Sequence, residues 1–200
     1  MTPIVDLAGK RGLVVGIAND SSIAYGCARA FRSAGAELAV TPRDDLQTGL
    51  VNCSAEGFAM AMDVSCHSFI RMARLALPLM TKGGSLQTVS FYGADRVVEH
   101  YNLMGPVKAA LESTVRTLAA DLAPQGIRVH ALSAGPVKTR AASGIDRFDE
   151  LLDGARERTP ANQLVTIEQI GRVAAFLASE AGAPLTGSVT FVDHGFHIVA

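Results

Sequence analysis

The sequence predicts an α/β fold in which a parallel sheet is covered by helices on both faces. Short apolar runs typical of buried strands alternate with longer segments whose apolar residues recur at helical spacing, as such a sheet requires. The chain has 200 residues, of which 48% are hydrophobic and 18% charged, so it can bury a large core. This length suits a single domain over residues 1–200.

The first predicted elements form one strand–helix–strand unit. The apolar run RGLVVGIA (11–18) contains a glycine at the point where a buried strand would end. Residues 23–36 follow with apolar side chains at helical spacing, and residues 37–41 predict a second strand. The polar stretch 42–55 is interpreted as a loop.

The rest of the chain continues the alternation of helices and strands. Segment 57–80 predicts a long helix with apolar residues on nearly every side, so we expect it to be buried on several sides. The elements predicted after it are a strand at 85–91, a helix at 101–126 closed by a glycine, a strand at 127–133, helices at 145–158 and 166–180, and a last strand at 188–193.

The charge, the cysteines and the hydropathy pattern exclude several classes of protein. A formal net charge of -1 gives no basic excess for nucleic-acid binding. The odd number of cysteines and the absence of a CxxC pair predict small buried apolar residues in a reducing compartment: Cys27, Cys53 and Cys66. No signal peptide and no uninterrupted apolar run of membrane-spanning length is present, so we expect a soluble cytoplasmic protein without membrane contact.

The histidines do not have the spacing of a metal site. Each is expected to be an ordinary surface imidazole, and no metal is predicted. One of them precedes Gly195 in a turn and would be strained if its φ is positive. The five are His67, His100, His130, His194 and His197.

A glycine turn after the first predicted strand is a candidate phosphate-binding element. Gly16 could supply a positive φ and nothing more, or the turn could present the free N–H groups of a helix N-terminus to a pyrophosphate, with Ser22 as cap and donor. A second signal favours the binding interpretation, because Gly135-Pro136 ends another predicted strand and Thr139 follows with a hydroxyl. In open α/β sheets, ligands bind beyond the carboxyl ends of strands.

Tyr101 and Lys108 stand seven positions apart at the start of the helix predicted over 101–126. On one helix, that spacing would place the two side chains within roughly 20° of each other and about 10 Å apart along the axis. The phenol is protonated at neutral pH and can donate to an oxygen that becomes negative in a transition state. A lysine ammonium beside it can bind a ribose hydroxyl. The alternative is a packing tyrosine and a surface lysine.

Four motifs together resemble the bacterial NADH-dependent enoyl-acyl carrier protein reductases, divergent members of the short-chain dehydrogenase/reductase superfamily. The motifs are Gly16…Ser22-Ile23-Ala24-Tyr25-Gly26, Tyr101-x6-Lys108, GPVKTRAASGI (135–145) and FVDHGF (191–196). The x6 spacing is typical of enoyl reductases, whereas ordinary superfamily members have Tyr-x3-Lys and reduce carbonyls. The resemblance implies a Rossmann-like doubly wound sheet, an oxidoreductase of fatty-acid biosynthesis, and a homotetramer.

The resemblance also implies a mechanism. NADH gives hydride to the β-carbon of a trans-2-enoyl thioester on acyl carrier protein, and negative charge grows on the thioester oxygen. By resemblance, Tyr101 would hydrogen-bond that oxygen, Lys108 would hold the nicotinamide ribose, and the segment around 141–158 would cover the substrate. The other implied contacts are Gly16, Ser22 and Ile23 on the pyrophosphate side, Val137, Lys138, Thr139, Arg140 and Ala141 on the nicotinamide side, and Phe91 and Met104 on the acyl chain.

The chain departs from the family pattern in three places. Phe91 stands where many members carry a second tyrosine, and His194-Gly195 replaces two glycines. Between Thr41 and Pro42 the family has two more strand–helix steps, on the order of fifty residues at about 30 per βαβ unit. The missing steps include the adenine-binding acid and a central strand. Either the sheet re-pairs, or the chain is a deleted fragment, or the 200 residues omit a segment.

Two other functions remain open at the level of sequence. A carbonyl reductase of the same superfamily would share the fold but not the x6 spacing. A non-catalytic deleted variant would keep the oligomer surfaces and bind no dinucleotide.

Overall fold

The computed structural model describes residues 48–137 and 148–199. The elements predicted at 11–18, 23–36 and 37–41 lie outside these residues, as do the glycine turn and the Thr41–Pro42 junction.

Six α-helices and three strands follow one another along the described residues. In chain order they are α1 (Ala55–Met62), α2 (Ser68–Ala76), β1 (Gly84–Ser90), α3 (Met104–Leu122), β2 (Ile127–Ala134), α4 (Phe148–Arg158), α5 (Ile167–Ala178), β3 (Val189–Val192) and α6 (Phe196–Val199). The predicted alternation is therefore confirmed over this part of the chain. The exceptions are the short helix α6, which the sequence analysis did not predict, and a 3-10 turn at Leu50–Asn52 inside the predicted loop.

The strands form one sheet in the order β1-β2-β3. Val129 accepts a hydrogen bond from Gly187 N at 2.7 Å, and Ala131 donates to Ser188 O at 3.0 Å. Because both partners advance in the same direction along the chain, β2 and the segment that enters β3 are parallel. Helix α3 makes the crossover that a parallel β1–β2 pair needs. The predicted class and the parallel pairing are thus as the sequence indicated.

The described residues divide into two compact units. The first unit contains the described part of Ala39–Ala131 together with Thr186–Val189, and so holds α1, α2, β1 and α3. The second unit contains the described residues of Leu132–Leu185 and Thr190–Ala200, including α4, α5 and α6.

Helix α3 supplies the main apolar face of the first unit. Its buried residues recur every three or four positions, as an amphipathic helix requires: Val107, Leu111, Val115, Ala119 and Leu122. They share one cluster with Phe69 of α2 and with Ile127 and Val129 of β2. The helix ends at Leu122, and a 3-10 turn, Ala123–Gln125, continues it to the predicted glycine. Gly126 has a left-handed φ of 69° that a side chain would disfavour.

The segment predicted as one long helix over 57–80 is interrupted. A π-helical turn, Asp63–His67, separates α1 from α2. The expectation of burial on several sides is wrong for the single chain, because only one face is covered, by Gly57, Ala61, Cys66, Phe69 and Ala73. The opposite side leaves large apolar side chains exposed, among them Phe58, Met60, Ile70, Leu75 and Leu79. Apolar residues thus lie all round this segment, but within the single chain only one of its faces is buried.

Helix α5 of the second unit begins with a capping box. Thr166 accepts a hydrogen bond from Gln169 N, and the Gln169 side chain accepts one from Thr166 N, which completes a capping box. The buried face behind this cap includes Ile170, Ala174 and Leu177.

Two of the cysteines lie in the described residues, and neither forms a disulfide. Cys66 is buried as predicted, and Cys53 is partly buried. Among the helices that the structure describes, none combines the length and the apolar character needed to cross a membrane.

Candidate active site

Tyr101 lies in the turn that precedes α3, not on the helix itself. Its backbone N donates to Val98 O at 3.1 Å, and its carbonyl accepts from Met104 N at 2.9 Å. Both neighbours have left-handed backbones, with φ of 61° at His100 and 41° at Asn102. The sequence-based prediction that the tyrosine and the lysine share one helix is therefore wrong. The angular and axial spacing derived from it does not apply.

The Tyr101 ring is held by aromatic and backbone contacts near the end of β1. The centroid of the Phe91 ring lies 4.8 Å away, with the planes tilted by 56°. A Cβ atom added at Gly93 would come within 2.6 Å of the tyrosine ring, so only glycine leaves room for it. Burial raises the pKa of the phenol above its ordinary value, and the Glu112 carboxylate acts in the same direction. Tyr101 therefore stays protonated over the whole working range of pH.

Lys108 lies on α3, just over one turn from the start of the helix at Met104. Its ammonium Nζ donates to the carbonyl of Val89, in β1, at 2.8 Å. Burial lowers the pKa of this lysine to about 8, while the negative charge of Glu112 opposes the shift. At neutral pH the group is therefore mainly charged, and it loses its proton just above that range.

The structure brings the end of β1, Tyr101 and Lys108 together within the first unit. Phe91 directly follows β1 and contacts the tyrosine ring, while Val89 anchors the lysine. The ring contact and the hydrogen bond thus place a proton donor, Tyr101, and a cation, Lys108, at the carboxyl end of one parallel strand. Ligands of α/β sheets bind at such ends. The tyrosine hydroxyl has no hydrogen-bond partner among the described residues and is able to donate to a ligand.

Three residues that support this pair were missed in the sequence analysis. Gly93 makes room for the tyrosine ring, Ser90 donates to Glu112 at 2.5 Å, and Glu112 acts electrostatically on both Tyr101 and Lys108. The sequence carried a signal for one of them, because a glutamate four positions after a lysine on a helix lies on the same face. The ring contact of Gly93 depends on tertiary structure and had no signal.

Of the remaining predicted site residues, two lie within the described residues and the others do not. Met104 is the first residue of α3 and packs, partly buried, against the apolar cluster of the first unit. Val137 follows the end of β2 and is partly exposed. The others lie outside the described residues: Gly16, Ser22, Ile23, Lys138, Thr139, Arg140 and Ala141.

The histidines are not all surface groups. His130, in β2, has no solvent exposure, so its predicted surface position is wrong. His194 has a φ of 53°, which confirms the strain expected of a side chain in that turn. His197 stacks on Phe191 at 3.9 Å and bonds Asp193 at 2.8 Å. Within the described residues, no three histidine, cysteine, aspartate or glutamate side chains could hold a metal ion.

The residues of the pair suit a nicotinamide dinucleotide and an acyl substrate. A charged lysine that one carbonyl holds has further N–H donors for ribose hydroxyls. A protonated phenol against an apolar ring can donate to a carbonyl oxygen that gains negative charge.

Comparison with known proteins gives the family. The family model described as Enoyl-(Acyl carrier protein) reductase matches residues 40–197. The Enoyl-[acyl-carrier-protein] reductase [NADH] FabI of Aquifex aeolicus is 38% identical, over 96% of this chain and 93% of that protein. The FabI of Escherichia coli is 36% identical, over 97% and 96%. The alignment with the Aquifex protein spans 251 positions, more than the 200 residues here, so that relative has residues without a counterpart.

Solved structures agree with these sequence relatives. The Bacillus cereus enoyl-acyl carrier protein reductase with NADP+ and indole naphthyridinone has a TM-score of 0.91 at 33% identity, covering 97% of this chain and 98% of that one. The Aquifex aeolicus enzyme has a TM-score of 0.88 at 37% identity, with 98% of both chains covered. This likeness confirms the Rossmann-like fold. By family model, sequence identity and fold alike, the chain belongs to the enoyl-(acyl carrier protein) reductase family.

Proposed function

We propose that this chain reduces a trans-2-enoyl thioester on acyl carrier protein to the saturated acyl thioester with NADH, a step of fatty-acid biosynthesis. The observation that carries the proposal is the Tyr101–Lys108 pair, placed at the carboxyl end of β1 in a member of this family. The bound dinucleotide supplies the hydride. The groups of the chain bind, orient and donate hydrogen bonds.

Tyr101 stabilises the charge that develops on the thioester oxygen. Its pKa is raised by burial, so the phenol keeps its proton and donates it in a hydrogen bond. Phe91 fixes the ring from one side and, with Met104, offers apolar contact to the acyl chain. Phe91 carries no hydroxyl and takes no part in proton transfer.

Lys108 holds the nicotinamide ribose through its charged ammonium. One N–H is used by Val89, which aims the side chain and leaves the others for hydroxyl oxygens. Gly16, Ser22 and Ile23 belong on the pyrophosphate side of the cofactor, and Val137, Lys138, Thr139, Arg140 and Ala141 on the nicotinamide side. These roles rest on the family motifs in the sequence.

Two substitutions test the assigned roles directly. Tyr101→Phe keeps the ring and removes the hydroxyl, so kcat is expected to fall by on the order of 10²-fold or more. Lys108→Met removes the ammonium and is expected to raise the KM for NADH and to lower kcat. The assay follows the loss of NADH absorbance with a trans-2-enoyl thioester.

Tyr92→Phe is the matched control for the tyrosine, since it removes a neighbouring phenol and is expected to leave the rate within about twofold. Full activity of both Tyr101→Phe and Lys108→Met would contradict their roles. If the wild-type protein reduces ketones but no enoyl thioester, it is a carbonyl reductase. If it shows no NADH affinity by calorimetry, the non-catalytic reading holds.

The residues that this chain lacks relative to its relatives are assigned to the junction of Thr41 and Pro42. The first motif lies before this junction, and the region that matches the family model, residues 40–197, begins two residues before it and continues beyond it. Mass spectrometry of the purified protein tests the assignment. A peptide that contains Thr41 joined to Pro42 supports it, and a peptide with intervening residues contradicts it.

The protein is proposed to act as a homotetramer in the cytoplasm. The exposed apolar side of α1 and α2 supports subunit contact, because large apolar patches rarely face water in a monomer. The cytoplasmic assignment rests on the composition of the chain and on the acyl carrier protein substrate.

A further inference from the structure

The last two residues of β1 form hydrogen bonds with two residues of α3 that lie one turn apart. Val89 accepts a hydrogen bond from Lys108 Nζ at 2.8 Å. Ser90, which is only 2% exposed, donates its hydroxyl to Glu112 Oε1 at 2.5 Å. Residues four apart share a helix face, so lysine and glutamate project to the same side. The strand thus fixes the positions of both charges.

Glu112 is the carboxylate whose charge acts on both members of the candidate catalytic pair. It favours the charged form of Lys108 and the protonated form of Tyr101. Burial works against the lysine charge, and the Cys66 thiol from the π-helical turn is the other titratable group that acts on it. On the β1 side, the lysine contacts the neutral carbonyl of Val89, and the hydroxyl of the next residue, Ser90, donates to Glu112.

A purely structural role would explain why Ser90 and Glu112 form a hydrogen bond. It would not explain why the carboxylate lies on the helix face that carries Lys108. A charged acceptor in a partly buried position is costly unless a second effect offsets it. Here the carboxylate lies on the same helix face as an ammonium that burial tends to neutralise, and its charge favours the ionised form of that lysine.

We infer that Glu112, held by Ser90 on the helix face that carries Lys108, is a positioning residue that keeps this lysine in its charged form for cofactor binding. The inference rests on the proposed function for its cofactor. Its electrostatic part concerns the protein without ligands and can be tested separately.

Glu112→Gln tests the charge while it keeps an oxygen that can accept from Ser90. The expected result is that Lys108 loses its proton at lower pH. The NADH affinity, measured by fluorescence titration without substrate between pH 6 and pH 9, then falls at a pH lower by on the order of one unit. Near pH 6 the affinity should stay within about twofold of wild type, since the lysine is charged in both proteins. Glu112→Asp retains the charge and should restore the wild-type pH profile.

Asp121→Asn is the matched control, because it removes an exposed carboxylate from the same helix. Its pH profile should coincide with that of wild type. A Glu112→Gln profile that also coincides with wild type would overturn the inference. Ser90→Ala, which leaves the carboxylate charged but unheld, should give a smaller shift in the same direction. If Glu112→Gln does not fold, the Ser90→Ala and Glu112→Asp profiles decide, and no shift in Ser90→Ala counts against the holding role.

Titration of Lys108 in the protein without ligands separates this inference from the proposed function. Lysines are reductively methylated with ¹³C, and the Lys108 signal is assigned by its loss in Lys108→Arg. Glu112→Gln should lower the pH at which this signal titrates, whether or not the protein reduces an enoyl thioester. A wild-type protein without NADH oxidation but with the expected lysine shift refutes the proposed function alone. An unshifted signal in an active protein refutes the inference alone.

Discussion

Tyr101 depends on a neighbouring glycine that carries no chemistry of its own. A Cβ atom at Gly93 would meet the tyrosine ring at 2.6 Å and 2.9 Å, distances that packed atoms do not adopt. The ring would have to move by several tenths of an ångström, with Phe91 beside it at 4.8 Å. Positioning within about half an ångström matters for catalysis.

Gly93→Ala is therefore expected to lower kcat about 10- to 100-fold while the protein stays folded. The measurement is steady-state kinetics with an enoyl thioester, together with far-ultraviolet circular dichroism. Gly49→Ala serves as control, because a Cβ atom added there would meet nothing within 4 Å. Equal rates for Gly93→Ala and wild type would show that the ring does not need this space.

His130 is a titratable group buried in its neutral form. Arg128 donates to Nε2 at 3.3 Å, so the proton sits on Nδ1, which donates to Ser188 Oγ at 3.2 Å. Burial lowers the pKa of this histidine to about 4, and the Arg128 charge acts in the same direction. Unfolding would return it to an ordinary pKa near 6.5.

The unfolded state therefore binds more protons than the folded state between about pH 6.5 and pH 4. The contribution of His130 to stability is fully present above that range and is lost as the pH falls through it, by roughly 3 kcal/mol at most. His130→Gln should flatten this acid dependence in urea unfolding followed at several pH values. A slope that is unchanged in His130→Gln would contradict the assignment.

Helix α3 shows what a sequence can predict and what it cannot. The apolar spacing from Val107 to Leu122 gave the helix and its buried face, and Gly126 gave the end of the 3-10 turn that follows the helix. The start was placed three residues too early, because His100 and Asn102 adopt left-handed backbones that periodicity does not reveal. The distance between Tyr101 and Lys108 along a helix therefore had no meaning. The pair is assembled by contacts with β1, which only the fold supplies.

Helix α5 depends on its N-terminal cap. The Thr166 hydroxyl accepts from Gln169 N, and the Gln169 side chain bonds back to Thr166 N. Thr166→Ala removes the first of these bonds and should destabilise the protein by about 1 kcal/mol in urea unfolding. Thr117→Ala, which removes an exposed hydroxyl from the middle of α3, is the control and should have a smaller effect. Equal effects of both variants would contradict the importance of the cap.

At the scale of the whole molecule, the α/β class followed from alternation alone, while the family followed from a few motifs. Short apolar runs and helical spacing hold for any parallel sheet, so they give the class and no chemistry. The x6 spacing of Tyr101 and Lys108 is the motif that resembles enoyl reductases and not other members of the superfamily. What buries the segment 57–80 could not be predicted in the same way. Composition does not say whether an apolar face packs against its own chain or against another.

The exposed apolar side of α1 and α2 leads to the last prediction, which concerns assembly. Leu75 is 74% exposed and Leu79 is 84% exposed, on a segment whose other face is buried in its own chain. Contact with a second copy would remove this area from water, and a charge placed there would be desolvated without a partner. Leu75→Glu is therefore expected to dissociate the proposed tetramer in light scattering coupled to size-exclusion chromatography. Val97→Glu places the same charge on a fully exposed residue of the connection between β1 and α3 and should leave the mass unchanged. A monomeric wild-type protein would contradict the proposed assembly. A Leu75→Glu protein of full oligomeric mass would show that the subunit contact does not depend on this side of α2.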